Sequence, residues 1–295
     1  MTTPPLVAII LLTWNHWEVT VACLNSLGRL TYPRYRLLVV DNGSTDATLP
    51  SLRSQFPHIV CIENGANLGF AAGCNIGIRH ALAGEADYIF LLNNDTLVEP
   101  DLLDALVAAA QQLPDAGILA PQMRYADKPE QLWFTASRRH PWTLEARDFG
   151  PLGPRRHVQA DTPQAVDYIF GTAMLIPAAA LRRVGLFDEA FFMYYEDMDL
   201  CLRMQAAGYR LYYVPTARLY HQVAASTATL SAARYAYKAR SGGLFWRKHV
   251  RGAQWLAVIP YRLGSLLRTS LRLARQREWG ALRAYWDGWR QGWLA

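Results

Sequence analysis

Arg36-Leu37-Leu38-Val39-Val40-Asp41-Asn42-Gly43-Ser44-Thr45-Asp46 sets four aliphatic residues before an acid and a run of turn formers. An unbroken aliphatic run that stops at turn residues is the pattern of a strand buried on both faces, so Arg36–Asp41 reads as an inner strand of a parallel sheet. Asp41 then stands at the strand's carboxyl edge, able to accept hydrogen bonds from a base N–H or a ribose hydroxyl. For the residues after it a plainer reading stays open, in which the segment is a turn and Ser44 or Asp46 caps the next helix.

Working outward, the same alternation recurs. Strands are expected at Val7–Thr13, Ile59–Glu63, Tyr88–Asn93 and Ile118–Met123, with helices at Trp17–Leu27, Thr48–Phe56, Ala71–Ala83 and Pro100–Gln112 between them. Four strand-to-helix repeats predict an α/β fold, a doubly wound, mostly parallel sheet flanked by helices. From Arg124 to Asp161 the periodicity fades among prolines and the pairs Arg138-Arg139 and Arg155-Arg156, as in a surface insertion or a mobile loop near a site. Order returns at Ala165–Pro177, with helices near Ala178–Val184 and Asp197–Ala207 and a strand at Tyr209–Val214. Beyond Ser231 the chain reads as helical, which divides it into residues 1–230, a catalytic α/β domain, and 231–295, a basic helical appendage.

Composition bounds the partners. With 295 residues, 52% apolar and 18% charged, the chain can bury a large core. Its net charge of +6 hides an asymmetry: Leu230–Ala295 holds 13 Lys and Arg against Glu278 and Asp287, an excess of 11, so the remainder carries −5. A basic tail on an acidic body points to an anionic surface, and the tail's Trp246, Trp255, Trp279, Trp286 and Trp289 favour a membrane over nucleic acid. Arg262, Arg268 and Arg272 interrupt every apolar run there, so peripheral contact is expected rather than a span. A homodimer interface is the alternative use of those helices. Cys23, Cys61, Cys74 and Cys201 form no C-x-x-C pair and read as buried thiols of a reducing compartment. Met-Thr-Thr-Pro-Pro lacks the basic start of a signal peptide, and Leu6–Leu12 is too short to span a bilayer, so a cytoplasmic location is expected, at the inner face of the membrane.

Polar residues collect where open α/β sheets bind ligands, at strand carboxyl ends: Thr13-Trp14-Asn15, Asp41, and Asn93-Asn94-Asp95-Thr96. Neither G-x-G-x-x-G nor a P-loop is present, so a bound diphosphate needs another counter-charge. Asp95 can supply it by holding Mg²⁺ or Mn²⁺, which share carboxylate and phosphate oxygens, unless it merely caps the next helix. Asn67-Leu68-Gly69-Phe70-Ala71-Ala72-Gly73 is glycine-rich, suiting close approach of Gly69 and Gly73 to a ligand or tight helix–sheet packing. The densest signal is Phe191-Phe192-Met193-Tyr194-Tyr195-Glu196-Asp197-Met198-Asp199, where acids follow aromatics that raise carboxyl pKa values toward general-base use. The same acids also suit a helix start electrostatically, Asp199 above all. His221 is a structural histidine on its own and a metal ligand if paired with Asp95.

With those residues in hand, the chain resembles the family 2 inverting glycosyltransferases, particularly bacterial rhamnosyltransferase-like members. The resemblance rests on Thr13-Trp14-Asn15, Val40 to Asp46, Asn67 to Phe70, Leu92 to Thr96, Gly171-Thr172-Ala173-Met174 and Glu196 to Arg203, in order, over roughly residues 6–250. It implies a GT-A fold that moves a sugar from a nucleotide-diphosphate donor, dTDP-rhamnose or a UDP-sugar, to a hydroxyl of a cell-surface polysaccharide or lipid-linked saccharide. It further implies nucleotide-sugar contacts at Thr13, Trp14, Asn15, Asp41, Asn67, Gly69, Gly73, Asn94 and Asp95, and acceptor contacts at Gly171 and Thr172. Asp197 inherits the base, Glu196 its support, and Asp95 with His221 the metal. Asn93 stands where the family's Asp-x-Asp motif opens with Asp, leaving one carboxylate; Trp14 replaces a more usual tyrosine, and Arg240-Ser241 an Arg-Asn. A sugar nucleotidyltransferase would carry a glycine-rich loop after strand one, and a non-catalytic assembly factor would not need all three of Asp41, Asp95 and Asp197.

Overall fold

A computed structural model of the chain describes residues 3–134, 137–148, 161–222 and 231–294. The strand beginning at the quoted stretch, β2 (Tyr35–Asp41), lies in parallel between β1 (Val7–Thr13) and β3 (Val60–Glu63). Helices α1 (Trp17–Leu27), α2 (Thr48–Gln55) and α3 (Phe70–Ala83) make the crossovers, and β4 (Tyr88–Asn93) pairs with the other side of β1. The chain thus reverses direction across the sheet at β1 and β4, opening a crevice at their carboxyl ends. The expected strands and helices of this half match to within two residues at each end. Val7 to Leu11 are at most 3% exposed, and burying such aliphatic side chains contributes roughly 1.5–3 kcal/mol each.

Beyond β4 the sheet becomes mixed. The short β5 (Thr96–Val98) leads to α4 (Leu102–Gln112), β6 (Ala116–Tyr125) follows, and three short strands, β7 (Leu132–Phe134), β8 (Ser137–Arg139) and β9 (Ala146–Asp148), occupy the segment expected to be irregular. Arg155-Arg156 lies outside the described residues. β10 (Gln164–Val166) and β11 (Ala173–Pro177) come next, and β11 runs antiparallel between β4 and β6; with the last strand, β12 (Arg210–His221), the order is β10-β12-β6-β11-β4-β1-β2-β3. Helices α5 (Ala178–Val184) and α6 (Glu196–Ala206) precede β12.

β12 corrects one expectation. A strand ending at Val214 would leave His221 in a loop, but the register only jumps between Val214↔Pro121 and Arg218↔Gln122 and pairing resumes to His221. A bulge absorbs Pro215, which cannot serve the ladder, without ending the strand. His221 therefore pairs with Thr96 of β5, the residue after Asp95.

The tail forms α7 (Ser231–His249), α8 (Trp255–Arg275) and α9 (Trp279–Leu294). Phe245, Trp246, Val250 and Val258 are buried in the main core, so the appendage shares the core of the sheet domain. Gly243, Gly288 and Gly292 let α7 and α9 touch backbone to backbone, since a Cβ on any of them would collide with the facing helix. Among the described residues no helix is long and apolar enough to cross a membrane.

Candidate active site

The crevice holds a cavity of about 490 Å³, walled by the carboxyl ends of β1 and β4, the start of α3, the residues before β11, the start of α6 and Arg234 of α7. Its floor is braced by hydrogen bonds. Thr13 Oγ1 lies 2.9 Å from Thr20 Oγ1, and the Asn94 amide donates to Thr20 at 2.9 Å and Thr13 at 3.3 Å, tying β4 to β1. Asn15 and His16 take left-handed backbone angles (φ 59 and 61), and Asn15 clasps the loop after β2: its N–H donates to Ser44 Oγ and its Oδ1 accepts from the Thr45 N–H. Trp14, 38% exposed, keeps its ring at the cavity. Asn42 joins β2 to the glycine-rich loop, donating to Asn67 Oδ1 and the Gly69 carbonyl and accepting from Asn64 and the Leu68 N–H.

Asp41 is 2% exposed; its Oδ2 accepts from the Ser44 N–H, while Oδ1 has no partner among the described residues. An uncompensated buried carboxylate oxygen costs a few kcal/mol, which a ligand N–H or hydroxyl would relieve. Neither Ser44 nor Asp46 is the N-cap of α2, which is Ala47; Asp46 Oδ1 accepts from the Thr48 N–H at 2.9 Å just ahead of it.

Glu196 and Asp197 arrive on a strained turn. Tyr194 and Tyr195 have φ of 70 and 69, a region that costs a non-glycine residue roughly 1–3 kcal/mol, and the turn delivers Glu196 and Asp197 to the first turn of α6. Packing holds it: Tyr195 lies against Phe245 and Trp246 at 5.3 and 5.2 Å, the Phe192 carbonyl accepts from the Phe70 N–H, and Gly69, at φ 84, could carry no Cβ without striking that carbonyl. Asp197 Oδ2 accepts from the Tyr168 hydroxyl at 2.8 Å and the Gly171 N–H at 3.0 Å, and Oδ1 from the Met198 N–H at 2.8 Å. Glu196 is as deeply buried, yet its Oε2 has no partner among the described residues.

The two carboxyls are thereby driven apart. Burial raises both; at Glu196 the neighbouring Asp197 charge raises it further, to well above the carboxylate range, whereas three donors pull Asp197 back. Of the pair, Asp197 is the readier to ionise and Glu196 the readier to keep a proton. Asp199, by contrast, is structural: burial opposes its ionisation, but hydrogen bonds from His249 and Lys248 and the Arg203 charge prevail and hold it at about 2.

Asp95 meets His221 across β5, with Nε2 3.1 Å from Oδ1. Because Thr96 starts a strand and α4 starts only at Leu102, Asp95 is not a helix cap. His221 Nδ1 is buried without a partner among the described residues, and the Trp133 ring lies 4.2 Å from the imidazole. Among the described residues no cluster of three or more His, Cys, Asp or Glu side chains is formed. One carboxylate and one imidazole suit a cation that completes its shell with phosphate oxygens and water, and no self-contained protein cage.

Of the residues singled out from sequence, Thr13, Trp14, Asn15, Asn67, Gly69, Asn94, Asp95, Gly171, Thr172, Glu196 and Asp197 line the cavity. Three sit behind it. Asp41 lies under Asn42, His221 behind Asp95, and Gly73 faces the sheet, where a Cβ would come within 2.7 Å of Leu12; tight helix–sheet packing, not ligand approach, explains that glycine. Asn67 Oδ1 is committed to Asn42 and the Gly69 N–H. Sequence reasoning missed Tyr168, three residues before Gly171, and Arg234, counted only as part of the basic tail.

A sheet reversing at β1 and β4, with carboxylates at its crevice and a mixed extension carrying further acids, is an open α/β fold with a ligand site at its strand carboxyl ends. The family model for glycosyl transferase family 2 matches residues 8–187, and the chain belongs to that family. It is 31% identical, over 93% of its length and 96% of the relative's, to the N-acetylglucosaminyl-diphospho-decaprenol L-rhamnosyltransferase of Mycobacterium tuberculosis. The rhamnosyltransferase WbbL of Escherichia coli is 27% identical over 73% of this chain and 83% of its own. In fold it is similar to GalNAc-T7 solved with UDP, GalNAc and Mn²⁺ (TM-score 0.66, 14% identity, 82% of this chain and 48% of that one). It is also similar to the Pyrobaculum calidifontis mannosyltransferase solved with GDP-mannose and Mn²⁺ (TM-score 0.59, 18% identity, 99% and 88%). The sugar nucleotidyltransferase reading gives way to this family.

Proposed function

We propose that the chain is an inverting, metal-assisted rhamnosyltransferase-like enzyme, taking dTDP-rhamnose first among donors and a UDP-sugar second, and acting on a saccharide carried by a lipid at the cytoplasmic face of the membrane. The observation that carries it is the presence in one cavity of Asp95, paired with His221, and of Asp197, held by the Tyr168 hydroxyl and the Gly171 and Met198 N–H groups, beside Glu196, whose buried carboxyl has an unpartnered Oε2 among the described residues. Trp14 offers a face for the base, and Asp41 Oδ1, unpartnered behind the cavity wall among the described residues, an acceptor that its N–H or a ribose hydroxyl would reach on a rearrangement of that wall. Asp197 takes the acceptor hydroxyl's proton as its oxygen attacks the anomeric carbon, and Glu196 donates a hydrogen bond that orients the acceptor. Asp95 and His221 would hold a Mg²⁺ or Mn²⁺, which would supply positive charge for the departing diphosphate. One displacement inverts the anomeric centre.

Two features support a membrane-borne acceptor. The relatives' name includes a diphospho-decaprenol acceptor, and α8 exposes Leu256, Ile259, Leu263, Leu267 and Leu271 at helical spacing while Val258, Leu266 and Leu273 face inward. Residues 231–295 then act as a basic interfacial region appended to the 1–230 catalytic domain. Flotation with anionic vesicles tests this: Leu263→Asp with Leu267→Asp abolishes flotation if α8 binds lipid, and a loss of dimer mass without any change in flotation would reassign the face to self-association. The activity is tested by a nucleotide-sugar screen reading release of nucleoside diphosphate with acceptor present. Asp197→Asn is expected to lower turnover ~10²–10⁴-fold with nucleotide binding retained; undiminished turnover would overturn the reading.

A further inference from the structure

Four cations of the C-terminal helices stand on α7 and α8: Arg234, Lys238, Arg262 and Arg272. Lys238 lies one turn beyond Arg234 on α7, on the same helix face. Lys238 stands on the exposed side of α7, within electrostatic reach of Glu145, Arg234, Arg262 and Arg272. Arg262 is already committed, lying 4.0 Å over the Trp246 ring with Nη1 3.7 Å from Glu145. Arg272 rests on Tyr235 of α7 and donates to its hydroxyl at 3.2 Å. Arg234 interacts with Tyr194 on the turn that carries Glu196, and it is the cation among the described residues that line the catalytic cavity with Asp95, Glu196 and Asp197.

Arg234 stands at the cavity wall and Lys238 one turn further along α7, while Arg272, bonded to Tyr235 and the chain neighbour of Leu271 on the exposed apolar stripe of α8, marks the outer end of the path. Once Arg262 has offset Glu145, three positive charges remain, and their mutual repulsion is relieved by an anion. The anion's surroundings are set by what flanks the path: an acid–base pair that must meet an acceptor hydroxyl at one end, and an apolar helix face at the other.

We propose that Arg234 and Lys238 bind the diphosphate of a lipid-linked acceptor, with Arg272 at the outer end and the lipid chain leaving along α8. This rests on the reading of the acceptor as lipid-linked, and it separates two diphosphates: the donor's belongs to Asp95 and His221, the acceptor's to Arg234 and Lys238. Arg, with its planar fork, and Lys, with a mobile point charge, together suit a flexible diphosphate.

The probe is binding of the full chain to neutral phosphatidylcholine vesicles doped with farnesyl diphosphate, set against vesicles doped with phosphatidylglycerol to equal charge. Wild type is expected to prefer the diphosphate vesicles, with inorganic pyrophosphate competing. The Arg234→Gln, Lys238→Gln double variant should weaken that binding about ten-fold, the loss of one charge-assisted contact or more, while its affinity for free nucleoside diphosphate with Mn²⁺ shifts less than about two-fold. Arg234→Lys with Lys238→Arg, which keeps the charge, should restore most of the binding and guards against misfolding as the cause. Equal binding of the two vesicle types, or a parallel loss of nucleoside diphosphate affinity, would overturn the proposal, the second by reassigning the cations to the donor. If the vesicle result holds and no sugar is transferred to any lipid-linked acceptor, the enzymatic reading fails and the diphosphate site stands.

Discussion

Tyr168→Phe removes one atom from the site and tests the assignment of the base. The ring keeps its packing on Phe170 at 4.8 Å, but Asp197 Oδ2 loses the hydroxyl that donates at 2.8 Å, keeping only the Gly171 N–H. Burial and the Asp197 charge hold the Tyr168 hydroxyl well above its ordinary pKa, so in the wild type it stays a donor throughout the working range. A hydrogen bond to a charged group is worth roughly 1.5–3 kcal/mol, and each pKa unit about 1.4, so Asp197 should rise by about one to two units. On the proposed mechanism, activity requires the ionised base. The acidic limb of the kcat/KM profile for sugar transfer should therefore move up by that amount, with the plateau above it little changed. A limb in the wild-type position would show that Asp197 ionisation does not govern the reaction; a uniform loss at every pH would give Tyr168 a purely structural part.

Other consequences are as direct. In the folded chain Glu196 keeps a proton that the unfolded chain releases above about pH 4.3, so its burial subtracts stability as pH rises through that value toward the folded pKa. Glu196→Gln is thus expected to unfold at a higher temperature than wild type near pH 8 and by a smaller margin near pH 5; a margin independent of pH would contradict the neutral-acid assignment. Gly69→Ala must abandon φ 84 or push back the Phe192 carbonyl, and should cost stability on the order of 1–3 kcal/mol in urea unfolding, with no loss meaning the turn is not held there. Asp95→Ala should abolish the Mn²⁺-stimulated part of nucleotide-sugar binding in calorimetry, and unchanged stimulation would place the metal elsewhere.

The first half of the sheet is legible because its information is local. Val7–Thr13 and Tyr88–Asn93 are unbroken apolar runs with polar ends, and buried parallel strands need no other signal. The mixed half is harder. Three-residue strands such as β5 and β7 carry too few side chains to show a period, and β11 inserts antiparallel between β4 and β6 through pairings distant in sequence. His221 shows the difficulty: Pro215 reads as a stop, whereas the neighbouring strand tolerates a bulge. At the site, motif residues stood out by type, and most of them line the cavity. Gly73 did not, since a glycine's sequence signal is the same whether a ligand or Leu12 crowds it. Tyr168 and Arg234 act through partners 29 residues away in one case and through the fold of the tail in the other, and neither leaves a spacing to read.

The most direct test is a crystal structure of the Asp197→Asn variant with dTDP-rhamnose and Mn²⁺. The account requires the diphosphate at Asp95 and His221, the base near Trp14, and the anomeric carbon turned toward residue 197 with room between them for an acceptor hydroxyl. A nucleotide seated with its sugar directed away from residue 197, or held without Asp95, would contradict it.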